Sequence, residues 1–280
     1  MPHELTQTPD LLWGPAISGA SNPLCQPGVD VDDSGRRCDG EPDFVALRGL
    51  LDRGGPSIVY QTITHIDTGK VLGAEALSRF PAGFSTRQWF ELAELVGLGA
   101  ELEMSAAMTA LAAVDAVTRR RLGWEFVGVK LSPQTLRDRR FKALLAGEIG
   151  RHVVLEFTDQ RQRPDWPTLR ADIDRARDLG ARIAVSGLTC DPGTQMQRVV
   201  ELAPDIVKLD AGYTATLVAN RDHRGQAEEF LLNCTRSGMF VVGVGVEQPA
   251  DLDVLRELGV EAAQGYLFGQ PRQIDSYTNH

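Results

Sequence analysis

The sequence predicts an α/β fold, a TIM-type (β/α)8 barrel, on two observations. Short runs rich in Val and Ile recur eight times after residue 44, and helical patterns with an apolar face separate most of them. Strand and helix periods that alternate in this way are typical of barrels whose parallel strands are covered by helices. The length of 280 residues is sufficient for one such domain with a substantial core.

Each apolar run is interpreted as a buried strand because it is short, β-branched and bounded by turn residues. The predicted strands are residues 58–65, 71–80, 125–131, 152–157, 182–187, 205–210, 239–246 and 261–268. Only Asp67-Thr68-Gly69-Lys70 separates the first two runs, which is the length of a hairpin loop and too short for a crossover helix. We therefore expect one antiparallel strand in an otherwise parallel barrel.

The helices are predicted from their end signals and their apolar faces. Ser85 followed by Gln88 has the spacing of a capping box and predicts a helix that continues to about Gly97. Another helix is expected to begin near Pro167 and to end at Gly180. A third predicted helix carries a buried stripe formed by Met104, Ala107, Met108, Leu111 and Val114.

The amino-terminal part of the chain differs in composition from the rest. Residues 1–43 mix Pro, Gly, Ser and Asp without a helix or strand period. Such a segment buries too little apolar surface to fold by itself. We therefore predict a flexible or disordered arm over residues 1–43 and a barrel domain over residues 44–280.

Composition excludes some classes of partner. A formal net charge of −9 argues against binding to nucleic acid polymers or to anionic membrane surfaces, since both require a cationic surface. No apolar run approaches the ~20 residues that span a bilayer, and no secretory signal is recognisable at the amino terminus. A cytoplasmic location is expected. The four cysteines lack metal-binding spacing and are interpreted as reduced thiols: Cys25, Cys38, Cys190 and Cys234.

Two signatures near the ends of the predicted barrel carry a family resemblance. The first is Glu75-Ala76-Leu77-Ser78-Arg79 and the second is Gln264-Gly265-Tyr266-Leu267-Phe268. From Phe44 to Pro271 the chain resembles the EAL domain family, bacterial phosphodiesterases that linearise cyclic dimeric GMP. Further matching segments lie at residues 59–63, 129–133, 155–159, 205–210 and 243–247.

The resemblance implies a set of retained site residues. Glu75 and Glu156 match carboxylates that bind the family's metals, and Lys208 matches its active-site lysine. Glu247 is the remaining carboxylate of its segment and completes these remnants of the catalytic set. The residues expected to contact a bound nucleotide are Gln61, Leu77, Arg79 and Gln264.

Four other positions depart from the family pattern. Lys130, Ser186, Gly187 and Val244 stand where the family has an Asn, two Asp and a Glu that hold metals and water. Because carboxylate and amide oxygens are needed to hold divalent cations at such a centre, we expect a remnant metal site at Glu75 and Glu156 to be empty. No cofactor is expected, and Mg²⁺ or Mn²⁺ would matter only for residual activity.

Lys130 is the most informative of these departures. A protonated ammonium cannot coordinate a metal, but carboxylate neighbours would hold it charged. We expect Lys130 to lie between Glu75 and Glu156 and to compensate for the missing cation. The alternative is that this flexible side chain turns to solvent.

Three functions remain open from the sequence. The first is a catalytically inactive EAL-like domain that acts as a regulatory binding protein for an unidentified protein partner. The second is a receptor that binds cyclic dimeric GMP without metal. The third is a cyclic dimeric GMP phosphodiesterase of reduced activity.

Overall fold

The computed structural model describes residues 43–114, 116–158, 166–188, 199 and 202–278. Within these residues, eight strands hydrogen-bond in sequence order and close a barrel, which confirms the predicted α/β fold. The strands are β1 Ser57–His65, β2 Val71–Arg79, β3 Phe126–Lys130, β4 Val153–Thr158, β5 Arg182–Leu188, β6 Ile206–Leu209, β7 Phe240–Val244 and β8 Ala262–Gln264.

Strand β1 is antiparallel to both of its neighbours, as the short Asp67–Lys70 connection predicts. It pairs with β2 on one side and β8 on the other, and Gln61 lies opposite Glu75. All other neighbouring strands are parallel. The carboxyl ends of β2 to β8 therefore open at one mouth of the barrel, where loops can present functional side chains.

The last two strands are shorter than predicted because glycines end them. Strand β7 stops at Val244, since Gly245 follows with a φ of +81°. Strand β8 stops at Gln264, where the chain turns so tightly that a Cβ on Gly265 would lie 2.0 Å from the Val246 carbonyl oxygen. The apolar run after Gly265 thus packs over the end of the barrel as a turn.

Helices cover the outside of the barrel. They are α1 Phe44–Asp52, α2 Thr86–Leu95, α3 Gly99–Ala113, α4 Ala116–Leu122, α5 Pro133–Arg137, α6 Arg139–Leu145, α7 Trp166–Asp178, α8 Ala211–Ala219, α9 Arg224–Arg236, α10 Pro249–Glu257 and α11 Asp275–Thr278. The predicted capping box is present at α2, where Ser85 and Gln88 cap each other's backbone N–H. No described helix combines the length and apolarity needed to cross a bilayer.

Helix α1 has no counterpart in the sequence prediction. The Asp43 carboxylate accepts a hydrogen bond from the Ala46 backbone N–H at 2.7 Å, which begins the helix. Leu47 and Leu50 then pack with Trp89 and neighbouring residues of α2 and α3 in a small separate core. Asp43 therefore belongs structurally to the folded domain, whereas the rest of the predicted 1–43 arm lies outside the described residues.

The predicted stripe on α3 is correct except at Met108. Met104, Ala107, Leu111 and Val114 are buried against the barrel, whereas Met108 is 48% exposed. At about 100° per residue, Met108 lies about 40° beyond Met104, past the edge of the buried face. A sequence pattern defines such an edge only to within one residue.

The barrel interior is closed by an apolar layer. The described side chains that form it are Ile63, Phe126, Val154, Ala184, Ile206, Val242 and Ala262. A larger core lies between the strands and the outer helices. This inner layer separates the polar side chains nearer the mouth from the opposite end of the barrel, where the Arg182 guanidinium lies over the Phe126 ring.

Candidate functional site

The site is formed by the next inward-facing position on each strand. Because side chains alternate along a strand, the residue two positions beyond the apolar layer points into the same interior. On β4, β5, β6, β7 and β8 these residues are Glu156, Ser186, Lys208, Val244 and Gln264. The fold thus brings together side chains that lie far apart in the sequence.

Lys208 lies between the two retained carboxylates. Its Nζ donates to Glu75 Oε2 at 2.5 Å and to Glu156 Oε2 at 2.8 Å. All three residues are buried, with exposures of 5%, 6% and 3% for Lys208, Glu75 and Glu156. The position expected for Lys130 is therefore filled by Lys208.

Lys130 lies at the rim of the same cluster. Its Nζ is 3.2 Å from Glu156 Oε1, yet its side chain is 54% exposed. Lys130 is four residues beyond the inner-layer residue Phe126, so it lies one layer nearer the mouth than Glu156. The sequence left two alternatives for Lys130, a position between the two carboxylates or a position in solvent. The structure shows neither, because Lys130 pairs with Glu156 from the rim.

The cluster holds its charges by mutual attraction. Burial alone would raise the pKa of Glu156, but the Lys130 and Lys208 ammoniums outweigh it and hold that pKa well below its usual range. Burial likewise acts to lower the pKa of Lys208, but Glu156 and Glu75 outweigh it and raise that pKa. Glu156 foremost raises the pKa of Lys130. At neutral pH the Lys130 and Lys208 ammoniums thus face the ionised Glu156 carboxylate.

The two glutamines expected to contact a nucleotide are hydrogen-bonded within the protein. Gln264 Nε2 donates to Gln61 Oε1 at 3.1 Å and to Glu75 Oε2 at 2.9 Å. Gln61 Nε2 donates to the Gly269 carbonyl oxygen at 3.2 Å. Among the described groups, none donates to the buried Gln264 Oε1. The amides therefore extend the ion cluster to β1 and β8.

Leu77 and Arg79 share a face of β2 with Glu75, since they follow it by two and four residues. Both are partly buried, and Arg79 Nη1 donates to the Ser78 carbonyl oxygen at 3.1 Å. Glu247 is exposed beyond the end of β7, where its backbone N–H donates to Asp251 Oδ2. The structure thus does not bring Glu247 into the cluster.

A cleft of about 180 Å³ opens beside the cluster. Its described lining comprises Glu75, Lys130, Glu156, Thr158, Ser186, Gly187, Lys208, Leu209, Asp210, Ala211 and Val244. Leu77, Arg79 and Glu247 are not among these lining residues. The cleft thus joins the retained carboxylates to all four positions that depart from the family pattern.

Those departures reduce the oxygen ligands of the cleft. The Ser186 hydroxyl lies 3.2 Å from Thr158 Oγ1, and its hydrogen bond to Glu156 helps to lower the pKa of that carboxyl. Gly187 has a φ of +78° at an irregularity in the pairing of β5 with β6. The Val244 side chain also lines the cleft, but it is a hydrocarbon and adds no oxygen.

Glu103 supports the rim of the cleft and was missed by sequence reasoning. Its Oε2 accepts from the Ser132 backbone N–H and hydroxyl, both at 2.7 Å, and from Thr135 Oγ1 at 2.5 Å. Burial raises the pKa of Glu103, which these hydrogen bonds partly oppose. Ser132 follows Lys130 by two residues, so α3 fixes the loop that begins directly after this lysine. Because Glu103 lies within an apolar helical stripe, no sequence signal distinguished it.

Comparison with known proteins establishes the family. Residues 45–271 match the model of the EAL domain, so the chain belongs to the EAL domain family. It is 25% identical over 283 residues to protein y4lL of Sinorhizobium fredii, covering 96% of this chain and 33% of y4lL. It is 26% identical over 247 residues to the "Probable cyclic di-GMP phosphodiesterase PdeI" of Escherichia coli, covering 82% and 31%. The chain thus spans about a third of the length of these curated relatives.

The fold has counterparts among solved structures. One is the "PaMucR Phosphodiesterase, c-di-GMP complex", with a TM-score of 0.68 at 22% identity. The match covers 83% of this chain and 98% of that one. This likeness shows that the two chains share a fold.

The residues present do not fit a pair of divalent metals. A two-metal centre requires several oxygen ligands that converge on each cation. Glu75 and Glu156 both accept from Lys208, and neither Gly187 nor Val244 has a side-chain oxygen to add. Among the described residues, no group of three or more His, Cys, Asp or Glu side chains is placed to hold a metal ion.

Proposed function

We propose that the chain is a catalytically inactive EAL domain that acts as a regulatory binding protein, through contact with another protein. The observation that carries this proposal is the lining of the cleft, where Lys130, Gly187 and Val244 offer no side-chain oxygen beside Glu75 and Glu156. The two carboxylates are engaged in an ion network with Lys208 and Lys130. The barrel is retained while its centre lacks the groups that would activate water.

Recognition of a protein is the preferred role because a fold does not fix a function. An EAL barrel without its metal ligands still presents a stable mouth and outer helices to a partner. Its cleft is small, at about 180 Å³, and ion-paired at its floor. These features favour contact at the surface over capture of a large ligand in the interior.

A metal-independent receptor for cyclic dimeric GMP is the second candidate. It is favoured by the retention of Leu77 and Arg79 beside Glu75 on β2 and by the Gln61–Gln264 pair. An arginine can pair with a phosphate by charge-assisted hydrogen bonds. Against it, both glutamine side chains are buried and donate to groups of the protein itself.

A phosphodiesterase of reduced activity is the third candidate, and it would need Mg²⁺ or Mn²⁺. In such an enzyme the cation would have to share Glu75 and Glu156 with Lys208, which engages one oxygen of each. Disturbing groups beyond the metal ligands alone can cost about 10–100-fold in metal affinity or activity. Replacing several ligands together is expected to cost much more.

Titration calorimetry with cyclic dimeric GMP tests the proposal, with Mn²⁺ in one arm and EDTA in the other. Absence of heat in both arms is the expected result. Equal binding in both arms that Arg79→Ala removes would favour the receptor. Binding and turnover confined to the Mn²⁺ arm would overturn the proposal in favour of the enzyme.

A further inference from the structure

A buried carboxylate between two outer helices holds an arginine from each of them. Asp172 of α7 is buried, and each of its two oxygens accepts a hydrogen bond from one guanidinium. Oδ2 accepts from Nε of Arg137, at the end of α5, and Oδ1 accepts from Nη1 of Arg175, on α7, at 2.8 Å. We refer to Arg137, Asp172 and Arg175 as the arginine clamp. None of the three lines the cleft at the barrel mouth.

Both arginines of the clamp keep hydrogen-bond donors for a further partner. A guanidinium has five N–H donors in a planar fork. Arg137 uses Nε and Arg175 uses Nη1, and no described group accepts from their other nitrogens. Their side chains are 44% and 64% exposed, so a ligand can reach these donors from solvent. Because Asp172 already limits the motion of both side chains, less entropy is lost when they bind a ligand.

The charge of the clamp favours a second anion. Two guanidiniums share the single carboxylate of Asp172, so one positive charge of the clamp is uncompensated. The two like charges also repel each other, and an anion in contact with both would reduce that repulsion. A carboxylate suits this place because its two oxygens match the planar fork of a guanidinium.

Further cations follow the clamp along the chain. Residues 137–142 contain four cations and one carboxylate, whereas the whole chain has a formal net charge of −9. Arg139 and Arg140 are exposed on α6, and the carboxylate, Asp138, pairs with Arg140. This face is therefore more basic than the chain as a whole. Charge complementarity favours an acidic surface as its partner.

We propose that the arginine clamp binds a carboxylate side chain in an acidic segment of a protein partner. That carboxylate accepts hydrogen bonds from the donors of Arg137 and Arg175 that Asp172 leaves free. A nucleic acid is disfavoured, because its phosphates continue along the polymer and would face a chain of net charge −9 beyond the clamp. This inference deepens the proposed function, on which it rests for the claim that the domain acts by contact with another protein.

Fluorescein-labelled hexaglutamate is the probe, and fluorescence anisotropy measures its binding to the full chain. Arg137→Gln and Arg175→Gln are expected to bind it at least about tenfold more weakly than wild type, because each loses charge-assisted hydrogen bonds. Arg175→Lys should not restore the wild-type affinity, since a lysine lacks the planar fork. The matched control is Arg170→Gln, which removes the same charge from α7 about 140° around the helix from Arg175. It is expected to bind as wild type does.

Three results would overturn the inference. The first is the absence of saturable hexaglutamate binding by wild type, which requires no variant to fold. The second is an equal loss for Arg170→Gln and Arg175→Gln, which would mean that net charge alone decides binding. The third is tighter binding of a single-stranded oligonucleotide of equal charge than of hexaglutamate. Each of these overturns only this inference, whereas turnover of cyclic dimeric GMP would overturn the proposed function.

Discussion

Lys208 and Lys130 carry the same charge but differ in what surrounds them. The Lys208 side chain is 6% exposed and pairs with both carboxylates, whereas the Lys130 side chain is 54% exposed and, among the described residues, pairs with Glu156 only. Removing one partner of a buried ion cluster leaves an uncompensated charge in a poor solvent. Removing a half-exposed partner allows water to replace it.

The two lysines are therefore expected to differ in their effect on stability. Lys208→Met is predicted to lower the free energy of unfolding by about 3–5 kcal/mol. Lys130→Met is predicted to lower it by about 1 kcal/mol or less. Urea unfolding at pH 7 measures both losses of stability. An equal loss for the two variants would contradict the assignment of the central position to Lys208.

The cost of losing Lys208 should depend on pH. The pKa of Glu156 is lowered in the folded protein, so the stabilisation by its ion pairs is present above its usual pKa of about 4.3 and is lost as the pH falls through the folded value. The pKa of Lys208 is raised, so its contribution is constant at neutral and acidic pH and is lost only in strong alkali.

Without Lys208, a buried carboxyl can relieve the unbalanced charge by taking up a proton. The stability difference between wild type and Lys208→Met is therefore predicted to be largest near pH 7 and to shrink below about pH 4.3. Unfolding curves from pH 3 to pH 8 would reveal it, with the exposed-pair variant Lys70→Met as control. A difference that does not change with pH would mean that the carboxylates are not held charged by Lys208.

Gly187 has a conformational role in addition to lacking a side chain that could bind a metal. Its φ of +78° is unfavourable for a residue with a Cβ. Gly187→Ala is predicted to cost about 1–2 kcal/mol of stability. Gly225→Ala is the control, because a Cβ at that position in α9 would have no atom within 4 Å. Thermal unfolding that ranks the two variants equally would contradict the strain at Gly187.

At the scale of helices and strands, the sequence predicts the features that depend on neighbouring residues alone. The β1–β2 hairpin and the Ser85–Gln88 capping box follow from loop length and residue spacing, and both are present. The ends of β7 and β8 do not follow, because β-branched and aromatic residues continue past the glycines that stop them. Only the close approach of Gly265 to Val246 explains the second stop.

Helix α1 tests where the folded domain begins. Removal of residues 1–42 is predicted to leave the melting temperature unchanged, since these residues carry little apolar sequence. Removal of residues 1–52 should cost about 2–5 kcal/mol or more, because Leu47 and Leu50 leave the core around Trp89. Calorimetric melting of both truncations checks this, and a large fall for the shorter deletion would show that the arm packs on the barrel.

At the scale of the whole molecule, the barrel joins groups that the sequence keeps far apart. Lys208 and Glu75 are separated by 133 residues, and Gln264 and Glu75 by 189. The resemblance supplied most of the site residues but not their contacts. That Lys208 rather than Lys130 lies between the carboxylates depends on the layers of side chains inside a closed barrel, since Lys130 follows Phe126 by four residues and Glu156 follows Val154 by two.

Hydrolysis of cyclic dimeric GMP by the full chain is the most direct test of the proposal that this EAL domain is catalytically inactive. With Mg²⁺ or Mn²⁺ and excess nucleotide, we expect linear product no greater than that formed by a Glu75→Ala control prepared in parallel. Lys130→Asn should give the same result, because Ser186, Gly187 and Val244 remain. Product that accumulates over many turnovers with wild type and is absent with Glu75→Ala would contradict the proposed loss of catalysis.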